Sequence, residues 1–267
     1  MTSLPLPPAH SDSPPPAAQE LLTLRGGRKR YGSVAALTDV DLTVRAGQVL
    51  ALVGDNGAGK STLVKGLSGT APFDVGTITM QGRPVTISTP ADAAHLGIET
   101  VYQDLALCDN LSVVANLYLG RELRRRNRLL AGPAMQAKAR EVVRELSVTL
   151  PDLNRPVAAL SGGQRQAVAV SRAVLWGSQI VILDEPTAAL GVEQTAMVYR
   201  LVRSLRSKGL GVVLISHNLT DVFAVADEIA VLRLGRNAGL FQPEKDTPEQ
   251  VISAITGGNA IPGARSA

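Results

Sequence analysis

Large aliphatic residues fall in short uninterrupted blocks along this chain. Gln48-Val-Leu-Ala-Leu-Val53, Ile180-Val-Ile-Leu183 and Gly211-Val-Val-Leu-Ile215 have the pattern of strands buried on both faces, and a further strand is expected over 228–233. Between the blocks the period lengthens. Ser61-Thr-Leu-Val-Lys-Gly-Leu67 and residues 133–146 carry apolar positions at helical spacing, and helices are expected over about 193–207 and about 219–226. Strands alternating with helices predict a parallel sheet. Residues 104–175 read as mainly helical, with caps or breaks at Asn110, Gly132-Pro133 and Pro151. An antiparallel β portion is expected within 21–103.

At 267 residues the chain can bury a full core, and one large α/β domain with an inserted subdomain is the natural expectation. It is 45% hydrophobic, yet no apolar run approaches the ~20 residues of a membrane span. Met1 to Pro16 holds six prolines and no apolar segment of a leader peptide, so residues 1–20 are expected to form a disordered tail. Residues 21–257 would form the domain, and 258–267 a frayed end. The single cysteine, Cys108, excludes an internal disulfide framework and suits a reducing compartment. A net charge of +4 is too small an excess to argue for nucleic acid. The densest basic run, Arg121-Glu-Leu-Arg-Arg-Arg-Asn-Arg128, reads as a solvated helix face or loop, with contact to anionic lipid headgroups as a second reading.

The block ending at Val53 runs into Gly54-Asp-Asn-Gly-Ala-Gly-Lys-Ser61, a complete G-x-x-x-x-G-K-[ST] phosphate loop. Its glycines, Gly54, Gly57 and Gly59, let the backbone curl so that N–H groups converge on phosphate oxygens, with Asn56 and Ala58 between them. The helix opening after Gly59 adds the positive end of its dipole. Lys60 can reach the β- and γ-phosphates of a nucleoside triphosphate, Ser61 can sit on Mg²⁺, and Thr62 follows in the same loop. The fold class expected is therefore α/β, a phosphate-loop (RecA-like) nucleotide-binding core with an antiparallel β subdomain and an inserted helical subdomain.

A second motif closes the strand at 180–183 with Asp184-Glu185-Pro-Thr. Two carboxylates at the carboxyl end of a buried strand lie where open α/β sheets bind ligands. In a phosphate-loop ATPase Asp184 would hold the Mg²⁺ shell and Glu185 would polarise the attacking water. A third motif, Leu160-Ser-Gly-Gly-Gln-Arg-Gln166, precedes a helical stretch over 166–175. Ser161 is a natural N-cap, and Gly162, Gly163 and Gln164 leave N–H groups accessible, a second anion-binding helix start.

In this order the three motifs resemble those of ATP-binding cassette (ABC) proteins, over roughly residues 21–257. The resemblance implies further roles. Tyr31 in Lys29-Arg-Tyr-Gly matches the aromatic that stacks on adenine, although a half-buried strand tyrosine is the alternative. Gln103 in Val101-Tyr-Gln-Asp matches the glutamine that links Mg²⁺ to the transporter interface. His217 in Leu214-Ile-Ser-His matches the switch histidine at the γ-phosphate. One position departs from the pattern: the run Ala188-Ala-Leu-Gly191 has Gly where many relatives carry Asp.

Gly97-Ile-Glu-Thr-Val-Tyr-Gln-Asp-Leu-Ala-Leu-Cys-Asp-Asn-Leu111, Thr187-Ala-Ala-Leu-Gly-Val192 and Ser216-His-Asn-Leu-Thr-Asp-Val222 are similar to the ATPase subunits of bacterial monosaccharide importers of the ribose, xylose and fructose type. That resemblance implies a homodimer clamping two ATP molecules, each between residues 54–62 of one copy and 161–164 of the other. It also implies membrane permease subunits, a secreted sugar-binding protein as an indirect partner, and a peripheral place on the cytoplasmic face of the plasma membrane. The competing reading is a soluble ABC ATPase acting on ribosomes or DNA repair complexes. A nucleotide-binding regulator that does not hydrolyse is disfavoured by Glu185 and His217.

Overall fold

Strand β3 (Val49–Val53) is buried at every position, as its unbroken aliphatic run requires. It lies inside a six-stranded sheet with β6 (Ile98–Val101), β7 (Ile180–Asp184), β8 (Gly211–Ile215), β9 (Glu228–Arg233) and β10 (Arg236–Phe241), in the order β10-β9-β3-β8-β7-β6. All neighbouring pairs are parallel except β9 and β10, an antiparallel hairpin at the edge. The computed structural model describes residues 19–125, 129–146, 148–150 and 152–258. Nearly all of the expected N-terminal tail, Pro151, the end of the basic run and residues 259–267 of the expected frayed end lie outside the described residues.

The expected antiparallel portion is a separate sheet, β2-β1-β4-β5, built from β1 (Glu20–Tyr31), β2 (Val34–Arg45), β4 (Val75–Met80) and β5 (Arg83–Val85). Leu22, Leu24, Leu42 and Val44 point from it into a core shared with Leu50 and Leu52 of β3 and Leu63 and Leu67 of α1 (Lys60–Leu67). A second core lies on the other face of the large sheet. There α5 (Gly162–Leu175) and α6 (Val192–Ser207) cover Val181, Leu183, Val212 and Leu214. Each such side chain contributes roughly 1.5–3 kcal/mol by burial.

Beyond the short helix α2 (Pro90–His95), the helical insertion has its own core. Val113, Leu117 and Tyr118 of α3 (Val113–Tyr118) meet Met135 and Ala139 of α4 (Gly132–Glu145) and Val168 of α5. Tyr118 and Trp176 stack edge to face at 5.6 Å. The basic run departs from the solvated face expected of it at one end. Arg121 pairs with Glu99 at 3.4 Å and lies over the Trp176 ring at 5.2 Å. The chain beyond it doubles back in a short antiparallel bridge between Arg124 and Leu130.

Candidate functional site

The phosphate loop joins β3 to α1 at the carboxyl edge of the large sheet. Gly54 sits at φ 151°, and a Cβ there would stand 2.2 Å from the Leu232 carbonyl oxygen. Gly59 sits at φ 104°, and its Cβ would approach the Ala36 carbonyl to 2.9 Å. Backbone packing thus demands glycine at both ends of the loop. A Cβ on Gly57 would meet nothing, so the middle of the loop faces open space. The Lys60 ammonium donates to the carbonyls of Gly54 at 2.7 Å and Asp55 at 3.0 Å, spanning the loop from within. Ser61 is exposed and Thr62 half-buried.

A cleft of about 430 Å³ opens over Asn56, Gly57, Ala58, Gly59, Lys60, Ser61 and Thr62. Its far wall includes Val34 and Leu234, which are 63% and 74% exposed. Neither residue was singled out in the sequence, because an isolated valine or leucine carries no local signal. Tyr31, 46% exposed, ends β1 and is paired in register with Val34. The Lys29 ammonium lies 5.7 Å from the Tyr31 ring centroid.

Asp184 ends β7, which lies between β8 and β6, and Glu185 directly follows it. Burial pushes the Asp184 carboxyl above its ordinary range, the Glu185 charge adds to the rise, and Lys60 opposes it. Glu185 has a positive φ of 50°, unusual for a side-chain-bearing residue, and its N–H donates to the Ile215 carbonyl at 3.0 Å. That bond brings the end of β7 against the end of β8, where His217 follows. Glu185 Oε2 lies 2.8 Å from His217 Nδ1. His217 also shares a cleft of about 470 Å³ with Gly54, Asp55 and Asn56. Gln103 is exposed just beyond β6, the strand beside β7, with Val101 in register with Leu183. Its neighbour Tyr102 donates a hydrogen bond to Ser68 at the end of α1, 3.0 Å away.

The third motif stands apart from these groups. Ser161 Oγ accepts from the Gln164 N–H at 3.3 Å, and Gln164 Oε1 accepts from the Ser161 N–H at 3.0 Å, a reciprocal cap. Helix α5 therefore starts at Gly162, one turn before the expected stretch over 166–175. Gly162 and Gly163 pack against Leu190 and against Gln194 and Met197 of α6. Among the described residues no hydrogen bond or ion pair joins 161–164 to 54–62. The Gln164 side chain is already engaged in the cap. Gly191, the departing position, is the N-cap of α6 at φ −75°, with nothing within reach of an added Cβ. An Asp would fit there.

Among the described residues no group of three or more His, Cys, Asp or Glu could hold a metal by itself. The half-buried Asp184 carboxyl, with Lys60 as its opposing cation, and the exposed Ser61 hydroxyl are oxygen donors of the kind a hard cation takes together with phosphate oxygens.

Residues 37–188 match the family model described as ABC transporter. The chain is 45% identical to the fructose import ATP-binding protein of Rhizobium meliloti over 253 residues, covering 92% of this chain and 97% of that protein. It is 42% identical to the xylose/arabinose import ATP-binding protein of Sulfolobus acidocaldarius over 237 residues, covering 89% and 94%. A solved ATP-binding cassette of an ABC transporter superposes with a TM-score of 0.79 at 25% identity, covering 89% of this chain and 98% of that chain. Among the described residues, no helix is long and apolar enough to cross a membrane.

Proposed function

The chain belongs to the ATP-binding cassette family of ABC transporters, and from that premise we propose that it is the ATP-hydrolysing subunit that powers a monosaccharide importer. The observation that carries this reading is near-full-length likeness to import ATP-binding proteins, joined to an intact phosphate loop beside Asp184, Glu185 and His217. Both of those relatives match along almost their whole length, so each has the size of one cassette.

In this reading residues 54–62 bind the triphosphate, with Lys60 turning from the Gly54 carbonyl to the β- and γ-phosphates. Tyr31 stacks on adenine, and Val34 and Leu234 cover the sugar-bearing side of the nucleotide. Ser61, Asp184 and Gln103 would hold Mg²⁺, which neutralises charge on the phosphates. Glu185 orients the attacking water through its carboxylate, and His217 positions that carboxylate and meets the γ-phosphate. Ser161, Gly162, Gly163 and Gln164 serve the ATP of a second copy, since they lie outside the cleft of their own chain. Dimer closure on ATP and opening after hydrolysis then drive permease subunits at the cytoplasmic face of the membrane, which a secreted sugar-binding protein loads.

The test is reconstitution of the chain with its cognate permease in proteoliposomes. ATP hydrolysis that rises when the sugar-loaded binding protein is added, together with sugar uptake, supports the reading. Hydrolysis stimulated by ribosomes or damaged DNA, with no response to permease, overturns it.

A further inference from the structure

Asp221 is 6% exposed, and among the described residues the groups that hydrogen-bond to it are all neutral. Its Oδ2 accepts from the Thr187 hydroxyl at 2.5 Å. Its Oδ1 accepts from the Tyr199 hydroxyl and from Asn218 Nδ2 at 3.0 Å. A buried carboxylate held by neutral donors is costly to desolvate. Its partners show what the expense secures. Thr187 lies two residues after Glu185 and Asn218 directly follows His217, while Tyr199 stands on α6.

The segments that Asp221 joins are those that carry Glu185 and His217. Glu185 is in the left-handed region, a strain that persists only where surroundings enforce it. The turn after it is closed by local bonds from Ala188 N–H to the Glu185 carbonyl and from Leu190 N–H to the Thr187 carbonyl. The Asn218 amide is used at both ends. Its Oδ1 accepts from the Thr220 N–H at 3.0 Å, which leaves Nδ2 aimed at Asp221. Burial and the Asp221 charge raise the pKa of the Tyr199 hydroxyl, so it remains a donor at neutral pH.

We infer that Asp221 is a positioning residue that clamps the Glu185 turn through Thr187 and the His217 turn through Asn218, with Tyr199 as its anchor on α6. It sets the Glu185–His217 alignment without touching nucleotide. The inference rests on the reading of Glu185 as the group that orients water. It predicts a split: hydrolysis suffers while ATP binding, which depends on residues 54–62, does not.

The experiment measures steady-state ATP hydrolysis by the full purified chain with Mg²⁺, carrying Thr187→Val, Thr187→Ser, Tyr199→Phe, Glu185→Gln, or Thr187→Val with Glu185→Gln. A small misplacement of a reacting group costs up to roughly a hundredfold, so Thr187→Val and Tyr199→Phe should lower kcat by about ten- to a hundredfold with KM unchanged. Thr187→Ser keeps the hydroxyl and should retain kcat. Thr187→Val should add no further loss to Glu185→Gln, because it acts through the same group. Full kcat in both Thr187→Val and Tyr199→Phe overturns the inference while leaving the Glu185 assignment standing. So does a loss in the double variant equal to the product of the single losses. Near-normal turnover in Glu185→Gln alone would instead bring down the assignment and the inference with it.

Discussion

Glu185 and His217 meet across the ends of two neighbouring parallel strands, with Oε2 of one 2.8 Å from Nδ1 of the other. Glu185 is sheltered, its side chain 18% exposed, whereas His217 is 72% exposed. A shielded carboxylate held by an imidazole that solvent can reach is suited to orient a water. The neighbouring carboxylate, Asp184, has Lys60 rather than His217 as its nearby positive influence. In the mechanism proposed above the two acids would divide their work, Asp184 toward the metal and Glu185 toward the water.

Glu185→Gln keeps the shape of the side chain and removes its basic oxygen. Turnover should fall by roughly two to four orders of magnitude, the usual contribution of a positioned base. ATP then persists, so size-exclusion chromatography with ATP and Mg²⁺ should show a dimer that ADP does not support. Near-normal hydrolysis with no ATP-dependent dimer would return the water-positioning role to another group, His217 first.

Asp184→Asn separates stability from function. The folded Asp184 carboxyl is raised above its ordinary 3.8 by burial and by Glu185. A raised carboxyl pKa favours the folded state at low pH. This contribution is lost as pH climbs from about the unfolded value through the folded one, because the unfolded chain releases its proton first. The neutral amide avoids that penalty. The ligand-free variant should melt higher than the parent at neutral pH and no higher at a pH below the unfolded value. Its nucleotide affinity should lose its dependence on Mg²⁺. An unchanged Mg²⁺ dependence in calorimetric titrations would remove Asp184 from the metal.

Tyr31→Ala removes the ring at the end of β1, whose register partner Val34 lines the cleft. Base–aromatic stacking is worth about 1–3 kcal/mol, so ATP affinity should fall by roughly ten- to a hundredfold with kcat little changed. An affinity that stays the same would make Tyr31 an ordinary strand residue, with its ring occupied by Lys29.

Ser161→Arg places a large cation at the exposed start of α5. ATP binding by the isolated chain should be preserved, because 161–164 lie outside the cleft over 56–62. The ATP-dependent dimer of the Glu185→Gln chain should disappear when Ser161→Arg is added. Loss of the serine cap should itself cost about 1 kcal/mol of stability, visible in thermal melts. Weakened ATP binding by the monomer would show instead that the α5 start serves its own chain.

Segments whose chemistry is local were legible in the amino-acid order. A phosphate loop is one contiguous turn, so Gly54 to Ser61 could be read directly, as could the Ser161 cap and the carboxylates after Leu183. Buried parallel strands need apolar residues on both faces, which is why β7, β8 and β9 fall where the aliphatic blocks predicted them. Tertiary structure decided which of these segments face one another. An aliphatic run records that it is buried, not beside which strand, so the placement of β7 between β8 and β6 had no local signature. That order alone brings Glu185 to His217. The same holds for Val34 and Leu234 at the cleft, and for Asp221, an ordinary acidic residue of a predicted helix until Thr187 and Tyr199 fold over it. Hydrogen bonds between segments far apart in the chain depend on packing, and packing is settled only when the layers assemble.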